Sequence, residues 1–201
     1  MAIIKPNNNT ISAITALPAA IATGAMVKLQ STTISSSTAS VSWDSTYITS
    51  TYDVYKIFVT NAIPAADAKD FQVGLSIDNL SNIGNIDQRT SGQRMIINDA
   101  TTQVTTTADF DQAHADYTHV SDDVGTNTGE SFNAEFTFYQ PSGSSYKYWT
   151  MVGANGHAND YSGFYCVGSQ IMTTSAVNAI QMKFQATNIA SGIFTLYGVN
   201  N

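Results

Sequence analysis

The chain has 201 residues, of which 43% are hydrophobic and only 11% are charged, and its formal net charge is −7. A chain of this length and hydrophobic content can bury an apolar core without disulfides or metal ions, which excludes wholesale disorder. Its eight Lys and Arg residues are spread singly, so no basic cluster is available to neutralise phosphates. We therefore expect no nucleic-acid partner.

The first 25 residues predict an extended arm that is separate from the globular domain. Pro6, Pro18 and the run Asn7–Asn9 prevent one continuous helix. One cation followed by these polar residues does not make a signal peptide, and no stretch is apolar enough to span a bilayer. We expect synthesis in the cytoplasm without membrane insertion. The arm has six apolar residues that we expect to anchor it: Ile3, Ile4, Ile11, Ile14, Leu17 and Ile21.

Charge also separates this N-terminal region from the rest of the chain. Residues 1–43 contain Lys5 and Lys28 and no acid, whereas residues 44–201 contain the other six bases and all fifteen acids, which gives 6 − 15 = −9. The two parts therefore suit different electrostatic partners.

From Met26 onward, apolar and polar residues alternate with the period of a β-strand. Such short strands at hairpin-like spacing predict an all-β domain over residues 26–201, an antiparallel β-sandwich or jelly roll. We expect the last two strands to form a hairpin across residues 187–192. The predicted strands are Met26–Thr33, Ala39–Trp43, Tyr52–Asn61, Phe71–Ile77, Gln93–Asn98, Phe132–Gln140, Tyr146–Val152, Phe164–Met172, Ala179–Ala186 and Ile193–Val199.

Several predicted strands are apolar on both faces. In the last one, Phe194 and Leu196 alternate with Ile193 and Tyr197. One face requires a second sheet, and the other is then available to a neighbouring subunit. We therefore expect a homo-oligomer, specifically a homotrimer.

The sequence contains no recognisable catalytic or metal-binding motif. The stretch Asp109–Asp123, with His114 and His119, has imidazoles and carboxylates for a divalent metal, but its spacing matches no known ligand pattern, so we interpret it as a solvated loop. His157 is predicted to lie in a turn. Cys166, the single cysteine, is expected to be a small buried hydrophobe. We expect no cofactor, no metal and no catalytic residue.

Aromatic side chains offer stacking platforms for a sugar ring. Tyr146, Tyr148, Trp149 and Tyr161 are the candidate glycan-facing residues. Packing in the core is the more usual role of large aromatic residues in a β-sandwich, and we favour it over a sugar site.

Several strand and turn motifs resemble those of a known protein family. Residues 175–184 read SAVNAIQMKF and residues 188–199 read NIASGIFTLYGV; earlier stretches read WDSTY at 43–47, YDVYKIFV at 52–59 and FYQPS at 138–142. Over most of residues 28–201 the chain thereby resembles small virion structural proteins encoded by tailed phages, especially marine cyanophages and pelagiphages. The segment from Asn9 to Pro18 is similar to the leader before phage fibre or decoration domains.

This resemblance implies a protein of the virion surface. It is expected to be a capsid decoration (cement) protein or a tail-attached accessory protein, docked on other virion proteins through its arm, and no catalytic residues come with the family. The alternative is a glycan-binding receptor-recognition module at a fibre tip, with a host surface glycan as its partner. A depolymerase-type enzyme is disfavoured, because Glu130 and Glu135 fall on opposite faces of a strand and make no acid–base pair.

Overall fold

A computed structural model describes residues 26–84, 86–98, 103–104, 112–113 and 117–199. These residues form strands and loops, and they include no helix that is long and apolar enough to cross a membrane. The predicted arm over residues 1–25, with all six of its anchoring residues, lies outside the described residues, as does His114.

Thirteen strands are present in the described part of the chain. They are β1 (Met26–Ile34), β2 (Val41–Trp43), β3 (Val54–Pro64), β4 (Phe71–Ser76), β5 (Gln88–Asn98), β6 (Gln103–Val104), β7 (Gln112–Ala113), β8 (Thr118–His119), β9 (Phe132–Tyr139), β10 (Lys147–His157), β11 (Tyr161–Ile171), β12 (Ala179–Phe184) and β13 (Ile189–Val199).

The strands form two antiparallel sheets. The large sheet has nine strands in the order β1-β13-β3-β9-β10-β11-β5-β6, with β7 also paired to β5, and the small sheet has the order β2-β12-β4-β8. The predicted all-β fold with antiparallel packing is confirmed. Strands β10, β11 and β5 widen the large sheet beyond β9, and β10 and β11 pair along their whole length, from Lys147 opposite Ile171 to His157 opposite Tyr161.

The predicted C-terminal hairpin is wrong. β12 pairs with β2 and β4 in the small sheet, whereas β13 pairs with β1 and β3 in the large one. Between them the chain turns from one sheet to the other, with Ala186 in the left-handed region at φ 53°. Buried Phe184 of β12 and buried Phe194 of β13 therefore face the core from opposite sides. Local alternation is the same for a turn within a sheet and a turn between sheets, so the sequence pattern did not distinguish them.

The core centres on Phe71 of β4. Its ring centroid lies 4.6 Å from that of Phe132 in β9, 5.1 Å from Phe184 in β12 and 6.3 Å from Phe194 in β13. These rings come from both sheets, so this aromatic cluster joins the two layers, and burial stabilises the fold by about 1.5–3 kcal/mol for each such side chain. The alternation of β9 also places a set of four apolar residues inward: Phe132, Ala134, Phe136 and Phe138.

Candidate functional site

For Trp149, one of the four candidate glycan-facing aromatics, the prediction of a glycan-facing role is wrong. It is fully buried at an inward position of β10, where its ring packs near Phe136 and Phe138. Its Nε1 donates a hydrogen bond to Oε1 of Gln88 at 3.0 Å. Trp149 is therefore a core residue, as the alternation of exposed and buried side chains along β10 requires.

The structure pairs Tyr148 with Tyr139, a residue for which the sequence predicted no role, and Tyr146 lies two residues before Tyr148 in the chain. Tyr139 and Tyr148 are register partners on the outer face of β9 and β10, and the three rings are 42–50% exposed. Tyr161 lies elsewhere. It pairs with His157, nine residues from Tyr148 along β10 and thus about 30 Å away. Tyr161 and Tyr148 cannot contact the same sugar residue.

A hollow of about 260 Å³ opens beside Tyr146, between the loop before β3 and the turn that joins β9 to β10. The N–H of Gln140 donates to the carbonyl of Asp53 at 2.6 Å, which ties the two walls together. Hydroxyl, amide and carboxyl groups are the partners that sugar hydroxyls require. Such groups are supplied by Ser50, Tyr52, Asp53, Gln140, Ser142 and Ser145.

Lys147 stabilises this turn through hydrogen bonds on the buried side of the hollow. Its side chain is buried, and Nζ donates to the carbonyls of Ser145 at 3.0 Å and Thr173 at 2.9 Å. Burial lowers the pKa of the Lys147 ammonium. The buried Lys147 side chain therefore holds the turn that forms one wall of the hollow.

A second group of polar side chains lies on the inner face of β10, β11 and β5. Arg94 of β5 forms an ion pair with Asp122, and their side chains are 14% and 33% exposed. The carbonyl of Asp122 accepts a hydrogen bond from Nδ2 of Asn155 at 2.7 Å and a longer one from Oη of Tyr165 at 3.3 Å. Burial raises the pKa of the Tyr165 phenol, so it stays protonated. These contacts fasten the segment around Asp122 to three strands of the large sheet.

Asp70 organises the neighbouring part of this network. Its Oδ1 accepts the N–H of Asp123 at 2.9 Å, and its Oδ2 lies 2.9 Å from Nδ1 of His119. Nε2 of His119 is 2.7 Å from the amide nitrogen of Gln72, which can donate to it. Burial acts to raise the pKa of Asp70, but the hydrogen bonds from His119 and Asp123 outweigh it and lower the pKa. The sequence did not predict the His119–Asp70 pair, because its members are 49 positions apart and no local pattern links them.

Three potential metal ligands meet beside this network. Asp122, Asp123 and His157 place their ligand atoms within 4.8 Å of one another. However, Nδ1 of His157 accepts a hydrogen bond from the N–H of Asn159 at 3.1 Å. Burial lowers the pKa of the imidazole and so favours the neutral ring. The proton of the neutral ring therefore resides on Nε2, the nitrogen that faces Asp123. A metal on Nε2 would force a proton onto Nδ1, against the Asn159 N–H. Since Arg94 also neutralises Asp122, we interpret the group as an ion-pair network.

Three further predictions about single residues are corrected by the structure. His157 is the buried last residue of β10 and does not lie in a turn. Cys166 is exposed, because it occupies an outward position of β11, opposite Val152. Asp122 and Asp123, expected in a solvated loop, are half-buried; Asp122 forms an ion pair with Arg94, and Oδ2 of Asp123 lies 3.6 Å from Nε2 of His157.

No protein family, curated protein or solved structure matches the chain. Chemically, the inner network cross-links strands and loops, and the exposed Tyr139, Tyr146 and Tyr148 present hydrogen-bonding and stacking groups to solvent. The six arm residues that the sequence analysis selected lie outside the described residues.

Proposed function

We propose that this chain is a non-catalytic structural protein of a tailed-phage virion, either a capsid decoration (cement) protein or a tail-attached accessory protein, carried on the particle surface as a homo-oligomer. The observation that carries the proposal is the strand order. Within the two sheets, four strands run β1-β13-β3-β9 and four run β2-β12-β4-β8.

This order supports a jelly roll. Taken in chain order, these eight strands alternate between the large and the small sheet, except that β4 and β8 both lie in the small one, as in an antiparallel ribbon folded over on itself into two Greek keys. Jelly rolls recur in viral capsid proteins, although a fold alone does not determine a function. The sequence resemblance to virion structural proteins therefore remains the second support.

The environment of the histidines supports a structural role over a catalytic one. In the described part of the chain, His119 lies between Asp70 and Gln72, and His157 lies between Asn159 and Asp123. Both imidazoles are held by neighbouring groups, so neither presents a free nitrogen to a substrate.

We assign docking on the particle to residues 1–25. This segment contains no acid, so it can approach an acidic surface that would repel residues 44–201, with their net charge of −9. Each apolar side chain that it buries stabilises the complex by about 1.5–3 kcal/mol before the ordering cost. Several copies in one oligomer would add to this through avidity.

The test uses the full-length chain and particles of the encoding phage from which the gene has been deleted. The double variant Ile14→Asp/Leu17→Asp should lose co-sedimentation with the particles, while the control Thr10→Asp/Thr15→Asp, with the same added charge at polar positions, should keep it. Equal binding of the two variants contradicts the docking role. Absence of the chain from purified virions by mass spectrometry contradicts the virion assignment itself.

The exposed tyrosines favour a second candidate, a glycan-binding module at a fibre tip. Tyr146 lines the polar hollow, and the exposed Tyr139 and Tyr148 are register partners on β9 and β10, the strands that its turn joins; such rings are the stacking platforms that a sugar site uses. On a glycan array, binding by the full-length protein should be lost in Tyr146→Ala and retained in Tyr161→Ala, whose ring is also exposed. An array without signal, or equal loss in both variants, rejects this candidate.

A further inference from the structure

The strands that widen the large sheet expose an apolar patch on their outer face. In the register of β10, β11 and β5, Ala154 lies opposite Phe164, which in turn lies opposite Met95. Met95, Ile97, Val152 and Phe164 are 51, 55, 49 and 41% exposed. We call this surface the Phe164 patch. Its members are Met95, Ile97, Val152, Ala154, Phe164 and Cys166.

The Phe164 patch is concave as well as apolar. A shallow groove of about 390 Å³ runs along it, lined by Met95, Ile97, Ala154 and Phe164 among others. Exposed apolar groups that form a continuous surface with a groove are typical of interaction sites, whereas scattered ones are not.

Charge is almost absent from this face. On the outward positions of the described strands β9, β10, β11 and β5, the charged side chains are Glu135, which is neutralised by Lys56 of β3, and Arg89 near the end of β5. Residues 44–201 carry a net charge of −9, so two copies repel each other in most orientations. Across this face they can approach without like-charge repulsion.

The face is also large enough for a specific contact. β5, β10 and β11 each have 11 residues, which corresponds to about 35 Å, and four strands side by side span almost 20 Å. Because β9 has only 8 residues, the face measures roughly 600 Å² in projection, which is the lower limit of the approximately 600–1,000 Å² that each partner buries in a standard interface.

We infer that copies of this chain associate through the outer face of β9, β10, β11 and β5, with the Phe164 patch at the centre of the contact. The occupant is a second copy because the face is almost uncharged, has an apolar patch and is of interface size on a molecule that is otherwise acidic. The inference does not depend on a role in the virion, and it assigns a surface to the self-association that the two-sided strands predict.

The structure offers a matched pair of variants. Phe164 and Ile193 are both 41% exposed on the outer face of the same sheet, but Ile193 lies on β13, outside the patch. By sedimentation velocity from 1 to 100 µM, full-length wild type and Ile193→Arg should both associate. Phe164→Arg should weaken association at least tenfold, and its melting temperature should equal that of the wild type at concentrations where both are monomeric. If Phe164→Arg does not fold, Met95→Arg takes its place.

Cys166 provides an independent readout, since it is the single thiol and lies within the patch. The rate of its reaction with a maleimide should fall as the wild-type concentration rises and should stay constant in Phe164→Arg. The inference is overturned by a wild type that is monomeric at 100 µM. It is equally overturned if association survives the folded patch variant, if the labelling rate of the wild type does not depend on concentration, or if Cys166 reacts slowly even at concentrations where the protein is monomeric.

Discussion

Replacing Asp122 by Asn removes one carboxylate from the inner network and changes little else. Asparagine has the same shape, and the Asp122 carbonyl that accepts from Asn155 and Tyr165 belongs to the backbone. What is lost is the ion pair with Arg94, whose side chain is only 14% exposed. The guanidinium then remains on the inner face of β5 without its counter-charge.

The expected loss of stability follows from the burial of the pair. Removing one partner of a fully buried ion pair costs about 3–5 kcal/mol. The Asp122 side chain is 33% exposed, so water compensates part of this loss, and we expect about 2–3 kcal/mol. For a chain of this size that corresponds to a fall in Tm of roughly 5–10 °C.

A double-mutant cycle in urea at fixed protein concentration provides the assay. Asp122→Asn, Arg94→Met and the double variant should give a coupling energy of about 1–3 kcal/mol, because the double variant leaves no buried charge unpaired. The half-exposed pair Lys56–Glu135 is the control, and Glu135→Gln should cost less than about 1 kcal/mol. A cost for Asp122→Asn no larger than that of Glu135→Gln, or a coupling energy near zero, would refute the structural role of the network.

Two further predictions concern the core and the response to acid. Phe71→Ala should lower the free energy of unfolding by about 3–5 kcal/mol in urea titrations, and Phe58→Ala, on the half-buried outer face, by clearly less; equal losses would contradict a core shared by both sheets. The lowered pKa of His157 means that protonation favours the unfolded chain, so wild-type Tm should fall as the pH drops below about 6.5. His157→Asn should lack this step, and parallel Tm profiles would contradict it. The lowered pKa of Asp70 should add a separate loss below about pH 4, as that carboxylate becomes protonated.

The amino-acid sequence by itself determined where most strands lie. β9 was predicted at Phe132–Gln140 and is observed at Phe132–Tyr139, because alternation of apolar side chains and the Pro141 turn are local signals. The same alternation placed Phe194 and Ile193 on opposite faces of β13, as observed. It also indicated that some outer faces are apolar, which is the basis of the expected self-association.

Only the tertiary structure decided how these strands are arranged and which polar groups meet. Alternation predicts two faces but not which face is covered, so it left open that Trp149 points inward while Cys166 stays exposed. The pairs Arg94–Asp122 and Asp70–His119 join segments that are distant in the chain, and no local pattern encodes such contacts. The Asp70–His119 pair depends on the pairing of β4 with β8 in the small sheet, whereas the Arg94–Asp122 pair depends on the packing of the two layers, which brings β5 of the large sheet to the segment after β8.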